Sequence, residues 1–224
     1  MLQRELAHTS DEKMKSIIST IQREQNVIIR NEKANTLIIQ GVAGSGKTSI
    51  ALHRIAFLLY RFKKQITAED VTILSPNKVF ADYILGVIPE LGEEPICELS
   101  LKDVADNALK EIIAFEPEKK TLEWEDVFPF LYLMAAFEGI EENRFVKHLV
   151  IDEMQDYTPV QFAVLNMMYP CQKTILGDFG QVLNPCHLHS LDEIRRIYKD
   201  AEFVALNKSY RSTYEIMDFA KKNL

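Results

Sequence analysis

Short apolar runs alternate along this chain with longer stretches of helical periodicity. Leu37-Ile38-Ile39-Gln40 reads as a buried strand over 36–40. Beyond it, Ala51, Ile55, Leu58, Leu59 and Phe62 recur at helical spacing and predict a helix over 46–62. The alternation continues with a strand over 71–75, a helix near 77–88, and a mostly helical stretch over 101–138 broken near Glu116-Pro117. Then come the most hydrophobic strand, 146–152, a helix over 158–168, a strand over 173–177, a helix over 190–199, a strand over 202–206 and a helix from 212 onward. Ahead of all these, residues 10–30 look helical, with Ser10-Asp11-Glu12-Lys13 as a cap. Strands separated by helical runs argue for an α/β fold, a parallel sheet with helices on both faces. Ligands of such sheets sit at the carboxyl ends of the strands. No internal repeat or low-complexity segment interrupts the pattern.

The loop between the first strand and the first helix is Gly41-Val42-Ala43-Gly44-Ser45-Gly46-Lys47-Thr48. It fits the phosphate-binding pattern G-x-x-x-x-G-K-[ST]. Such a loop binds phosphate where it joins a strand to a helix N-terminus, because backbone N–H groups and the helix dipole then face the anion together. Glycine lets the backbone curl around the phosphates without a side chain in the way. Gly41, Ala43, Gly44, Ser45 and Gly46 are therefore candidate cradle residues. Lys47 would reach the β- and γ-phosphates, and the Thr48 hydroxyl would ligate Mg²⁺. A glycine-rich turn without a ligand is the plainer alternative, and the flanking strand and helix weigh against it.

Composition narrows the class. A chain of 224 residues with 47% hydrophobic and 26% charged residues is of ordinary globular make-up, with room for one substantial core. A net charge of −7 does not attract nucleic acid over the whole surface, so any such contact belongs to a local groove. Cys97, Cys171 and Cys186 are few, odd in number and not in C-x-x-C spacing, which points to a reduced, cytoplasmic protein. Cys186-His187-Leu188-His189 has no second ligand pair to complete a metal site. Residues 1–20 are charged and helix-like rather than a signal peptide, and no apolar run approaches the ~18 residues of a membrane span.

A second motif supplies acid. His148-Leu149-Val150-Ile151-Asp152-Glu153 is an apolar strand ending in two carboxylates. Asp152 at the strand tip can hold Mg²⁺ beside Thr48, and Glu153 is placed to orient and deprotonate an attacking water. An acidic turn after a strand is common alone; the upstream phosphate loop favours the catalytic reading.

The run Asp152-Glu153-Met154-Gln155-Asp156 resembles motif II of the UvrD/Rep-type superfamily 1 helicases, usually Asp-Glu-x-Gln-Asp. Other segments match in order. Ile21-Gln22-Arg23-Glu24-Gln25 resembles the Q motif, Leu74-Ser75-Pro76-Asn77-Lys78 occupies the place of motif Ia, and Gly177-Asp178-Phe179-Gly180-Gln181 resembles motif III. Leu206-Asn207-Lys208-Ser209-Tyr210-Arg211-Ser212-Thr213 resembles motif IV. Each match is weak alone; shared order and spacing carry the resemblance. It implies a RecA-like P-loop NTPase domain that uses ATP and Mg²⁺. In it Gln25 reads the adenine edge, Tyr210 stacks on adenine, Gln181 senses the γ-phosphate and Arg211 stabilises the transferred charge. It implies single-stranded or partly duplex DNA as partner of the complete protein, and a monomer. Ala51-Leu52-His53-Arg54-Ile55-Ala56 and Lys208-Ser209-Tyr210-Arg211-Ser212 look closest to the helicase IV/HelD branch, some members of which release RNA polymerase from nucleic acid.

The sequence also departs from that family. Its second RecA-like domain is absent from these 224 residues, and the accessory insertion between motifs Ia and II is shortened or missing around 100–121. Ser209 stands where UvrD-type sequences usually have Asn, and Ser49 where some relatives have a nucleotide-contacting Arg. One lobe cannot ratchet along a strand, so these residues by themselves are expected to bind ATP-Mg²⁺ weakly and hydrolyse it slowly. Two rivals stand beside the motor: an ATP-dependent binding module acting on RNA polymerase, and a small-molecule P-loop kinase, against which the motif II and motif III segments argue.

Overall fold

The first strand owes its place to three consecutive apolar side chains that divide between two helical layers. Leu37 and Ile39 face one layer and Ile38 the other, all fully buried. The computed structural model describes residues 23–76, 96–113, 122–181 and 191–206. Among them six strands form one sheet: β1 (Thr36–Gly41), β2 (Val71–Leu74), β3 (Cys97–Leu99), β4 (His148–Ile151), β5 (Gln172–Gly177) and β6 (Glu202–Leu206). Their spatial order is β3-β2-β4-β5-β1-β6, and every pairing is parallel. The parallel α/β expectation holds. The helices expected near 77–88 and from 212 onward lie outside the described residues, as do residues 10–22 of the leading helix.

Five labelled helices cover the sheet: α1 (Lys47–Arg61), α2 (Leu101–Ile113), α3 (Trp124–Phe137), α4 (Pro159–Met168) and α5 (Leu191–Ile197). On one face, α1 and a helix described over residues 23–29 pack on Leu37, Ile39, Val71, Ile73, Val150 and Leu176. On the other face, α2 to α5 pack on Ile38, Leu74, Leu149, Ile151 and Ile175. A strand buried on both faces is apolar at consecutive positions rather than alternating ones, which is why these strands were legible. Local chemistry fixes two helix starts. Thr158 caps α4 by accepting from the Gln161 N–H at 3.3 Å while its own N–H donates to Gln161 Oε1 at 2.8 Å, with Pro159 at the first helical position. Ser100 and Asp103 form the same reciprocal box before α2.

The pattern missed β3. It is three residues long, lies at the sheet edge and is only partly buried, so its sequence carries no apolar run. Its pairing with β2, together with the Ser75 N–H donating to Leu99 O at 3.1 Å, defines it.

A buried polar cluster lies under α1. His148 on β4 is 2% exposed, with Nε2 3.0 Å from Thr174 Oγ1. Burial, with the charges of Arg54 and Lys173 nearby, pushes the imidazole pKa down from 6.5 to about 3. The folded state therefore binds fewer protons than the unfolded state between these values. The stability this neutral histidine contributes is present above pH 6.5 and lost as pH falls toward 3. Its full size is on the order of a few kcal/mol. The His148→Gln variant should lose stability less steeply than the parent between pH 6.5 and 4. Denaturant unfolding at several pH values checks this, and equal slopes would count against it.

Candidate nucleotide-binding site

The phosphate loop emerges from the carboxyl end of β1 and turns directly into α1. Two glycines make the turn possible: Gly44 at φ 72° and Gly46 at φ 86°, both in the left-handed region. Ser45 N–H donates to Val42 O at 3.0 Å, and Val42 N–H donates to Leu206 O at 3.2 Å, which ties the loop to β6. Gly41 is sterically committed as well. A Cβ there would collide with Ser45 Oγ and come within 3.0 Å of Lys47 Cγ and 3.1 Å of Leu206 Cβ.

The loop fits a phosphate on three counts. The first N–H groups of α1 have no intrahelical acceptor, and no side chain caps Gly46. No acidic residue in the first turn of α1 would repel an anion. Ser45 Oγ is a buried polar atom without a hydrogen-bond partner among the described residues. Lys47 folds over the loop, its Nζ donating to Gly41 O at 2.7 Å and more weakly to Val42 O at 3.5 Å. These are neutral carbonyl acceptors, which phosphate oxygens can replace with a stronger, charge-assisted bond. Thr48 is exposed at the start of α1.

The acidic pair sits at the tip of β4, and β5 separates that strand from β1. Asp152 is 6% exposed and its N–H donates to Leu74 O at 2.9 Å. Burial, reinforced by the negative charge of Glu153, pushes its carboxyl up to about 7, while Lys47 opposes the rise. A carboxyl held this way gains from any cation brought to it. Mg²⁺, when bound by Asp152 and Thr48, would neutralise phosphate charge. Among the described residues no cluster of three His, Cys, Asp or Glu exists.

Glu153 has φ 52° and ψ 49°, and it is the one non-glycine at positive φ among the described residues. That conformation costs roughly 1–2 kcal/mol in an L-residue. The surroundings hold it there. Gln155 Nε2 donates to Glu153 Oε2 at 2.7 Å, and Gln155 Oε1 accepts from the Asp178 N–H at 2.8 Å. Asp178 Oδ1 accepts from Gln40 Nε2 at 3.2 Å and from the Gly180 N–H at 3.0 Å, and Gln40 Oε1 accepts from the Phe179 N–H at 3.3 Å. One polar network thus joins the acidic turn, the end of β5 and the end of β1. Gln181 closes the short turn after β5, its N–H donating to Asp178 O at 2.9 Å, with an exposed side chain.

Gly177 makes this network possible. A Cβ there would collide with Gln155 Oε1 and Met154 Cγ and lie 2.8 Å from the Met154 backbone nitrogen. Gly177→Ala should cost about 1–3 kcal/mol of stability by overpacking. It should also displace Gln155 and slow hydrolysis more than it weakens nucleotide binding. Thermal unfolding and single-turnover hydrolysis check this, and an unshifted melting temperature would refute it.

The structure brings together Gly41, Ala43, Gly44, Ser45, Gly46, Lys47, Thr48, Asp152, Glu153 and Gln181 at the carboxyl ends of β1, β4 and β5. Gln25 joins them: its Nε2 would lie 3.3 Å from a Cβ on Gly46. Tyr210 and Arg211 lie outside the described residues, as do Cys186, His187 and His189. Sequence reasoning assigned no role to Gln40 or Gln155. Gln155 was visible inside the acidic motif, whereas Gln40 acquires its role only through the pairing of β1 with β5. A groove of about 780 Å³ lies at the opposite ends of the strands, bordered by Asn35, Glu142, Arg144 and Lys147. Its charges are engaged in surface ion pairs, Arg144 with Glu142 and Lys147 with Asp70, and it holds none of the motif residues.

No protein-family model matches the chain. Over 163 residues it is 24% identical to ATP-dependent DNA helicase PcrA of Leuconostoc citreum, covering 66% of this chain and 22% of PcrA. The chain thus spans about a fifth of that relative's length. Among solved structures, Pif1 helicase from Candida albicans aligns with a TM-score of 0.49 at 16% identity, over 87% of this chain and 42% of Pif1. Bacteroides Pif1 bound to ssDNA aligns with a TM-score of 0.42 at 16% identity, over 91% of this chain and 44% of that one. In sequence the chain is similar to a superfamily 1 helicase. Its sheet is all-parallel, with β5 between the phosphate-loop strand β1 and the acidic strand β4.

Proposed function

We propose that this chain is the first RecA-like, ATP-binding domain of a UvrD-like DNA helicase, nearest the helicase IV/HelD branch, and that the complete protein couples ATP hydrolysis to movement on DNA or its unwinding. The observation that carries this reading is the polar network through Gln155. It links the proposed general base Glu153 to the backbone of the turn bearing Gln181. A simple phosphate-transfer enzyme has no need of that link, whereas a motor must report the state of the γ-phosphate to a neighbouring surface. Lys47 and the loop N–H groups hold the triphosphate, Thr48 and Asp152 hold Mg²⁺, and Glu153 activates water. Gln181 and Arg211 respond to the γ-phosphate, and Gln25 and Tyr210 hold the base.

DNA, single-stranded or partly duplex, is the proposed partner, and the cytoplasm the proposed compartment of a monomeric protein. Among the described residues no helix is long and apolar enough to cross a membrane. One observation favours the alternative, an ATP-dependent binding module acting on RNA polymerase: α3 exposes Trp124, Tyr132, Leu133 and Phe137, the last at 85%. Exposed aromatic side chains on one helix suit a protein contact. A steady-state ATPase assay separates the readings. These 224 residues alone should turn over slowly with or without single-stranded DNA, because an arginine from a second lobe is worth about 10³–10⁵ in related phosphoryl transfers. The complete protein should be stimulated by DNA. Stimulation by polymerase core and not by DNA would favour the binding module.

A further inference from the structure

Arg54 sits on the buried face of α1, among Ile50, Ala51, Ile55 and Leu58, and is 2% exposed. A guanidinium is costly to bury and is kept only where its donors are met. Its Nε donates to Thr174 Oγ1 on β5 at 3.1 Å. Its Nη1 donates to Ile28 O at 3.0 Å and to Ile29 O at 3.3 Å. Those two carbonyls lie at the carboxyl end of the helix described over 23–29, where a cation meets the negative end of the helix dipole. Burial pulls the guanidinium pKa down to about 10, so it stays charged at neutral pH. One turn earlier, the same helix carries Gln25, whose amide lies beside Gly46 of the phosphate loop.

We infer that Arg54 is a positioning residue for base recognition: it clamps the Gln25 helix to α1, so that the amide reading the base and the loop holding the phosphates stand in one fixed relation. This rests on the proposed reading of Gln25 as the adenine contact. Arg54 touches neither base nor phosphate, and its effect passes through the Ile28 and Ile29 carbonyls. Other ties of this segment differ in kind: Ile28 is packed in the core, and the Glu32–Arg61 ion pair just beyond the helix, at 2.9 Å, is exposed. An exposed ion pair contributes little, whereas the buried guanidinium donates in fixed directions to Thr174, Ile28 and Ile29 and so constrains the helix's orientation.

The test uses the full protein and three probes, ATP, GTP and inorganic triphosphate, competed against a fluorescent ADP. Gln25→Ala should lower the preference for ATP over GTP by roughly three- to tenfold, the worth of one hydrogen bond, and leave triphosphate binding unchanged. Arg54→Lys, which keeps the charge but loses the fork, should do the same, and the double variant should be no worse than either. Should Arg54→Lys fail to fold, Thr174→Val, which removes the orienting hydroxyl, should shift the preference in the same direction. Loss of base preference in Gln25→Ala with full preference in Arg54→Lys overturns the inference. So does an equal weakening of all three probes in Arg54→Lys, the mark of a merely structural role. If Gln25→Ala itself leaves the preference intact, the reading of Gln25 is what fails.

Discussion

Glu153→Gln should leave nucleotide affinity within a factor of about two and lower single-turnover hydrolysis by roughly 10²–10⁴, the usual worth of a positioned general base. The substitution is nearly isosteric. The amide oxygen can still accept from Gln155 Nε2, so the bond seen at 2.7 Å and the left-handed backbone at φ 52° have no reason to relax. What the variant loses is the ability to take a proton. Asp152 is a poor substitute, because burial and the neighbouring charge push its own carboxyl up to about 7 and it is the proposed cation ligand. The variant also removes the Glu153 charge that contributes to that rise, so the Asp152 pKa should fall. A rapid-quench measurement with labelled ATP reads the first effect. Turnover equal to the parent would remove Glu153 from the mechanism.

Lys47→Ala should weaken ATP-Mg²⁺ binding by at least roughly ten- to a hundredfold, since a charge-assisted hydrogen bond contributes about 1.5–3 kcal/mol. The fold itself should barely notice. Among the described residues Lys47 Nζ donates hydrogen bonds to carbonyls of its own loop, Gly41 O at 2.7 Å and Val42 O at 3.5 Å, and these can turn to water. The loop's shape comes instead from Gly44 and Gly46, from the Ser45–Val42 bond and from the tie to Leu206. Calorimetric titration with a melting curve on the same sample separates the two effects. Unchanged binding would contradict the assignment, and a large fall in melting temperature would mean the lysine is structural. The lysine's charge also holds down the Asp152 pKa, so its removal should raise that pKa further.

The architecture was legible because a parallel sheet with helices on both faces buries its strands completely. Leu37-Ile38-Ile39 and Leu149-Val150-Ile151 are continuous apolar runs for that reason. Edge strand β3 was illegible for the converse reason, being partly buried over three residues. The phosphate loop was legible because its chemistry is local. The glycines, the lysine and the helix start lie within eight consecutive residues, and backbone geometry does the rest. Arg54 left a partial signal, a charge on the apolar stripe of α1, but its partners are 25, 26 and 120 residues away in sequence.

The sequence by itself determined the fold class, the phosphate loop and the acidic strand tip, because each rests on hydrophobic periodicity or on residues adjacent in the chain. Only the tertiary structure decided which groups act together. β5 lies between β1 and β4, and this alone sets Asp178 within reach of both Gln40 and Gln155. Hydrogen bonds between side chains depend on ångström-scale placement of distant segments, and no local pattern encodes that placement.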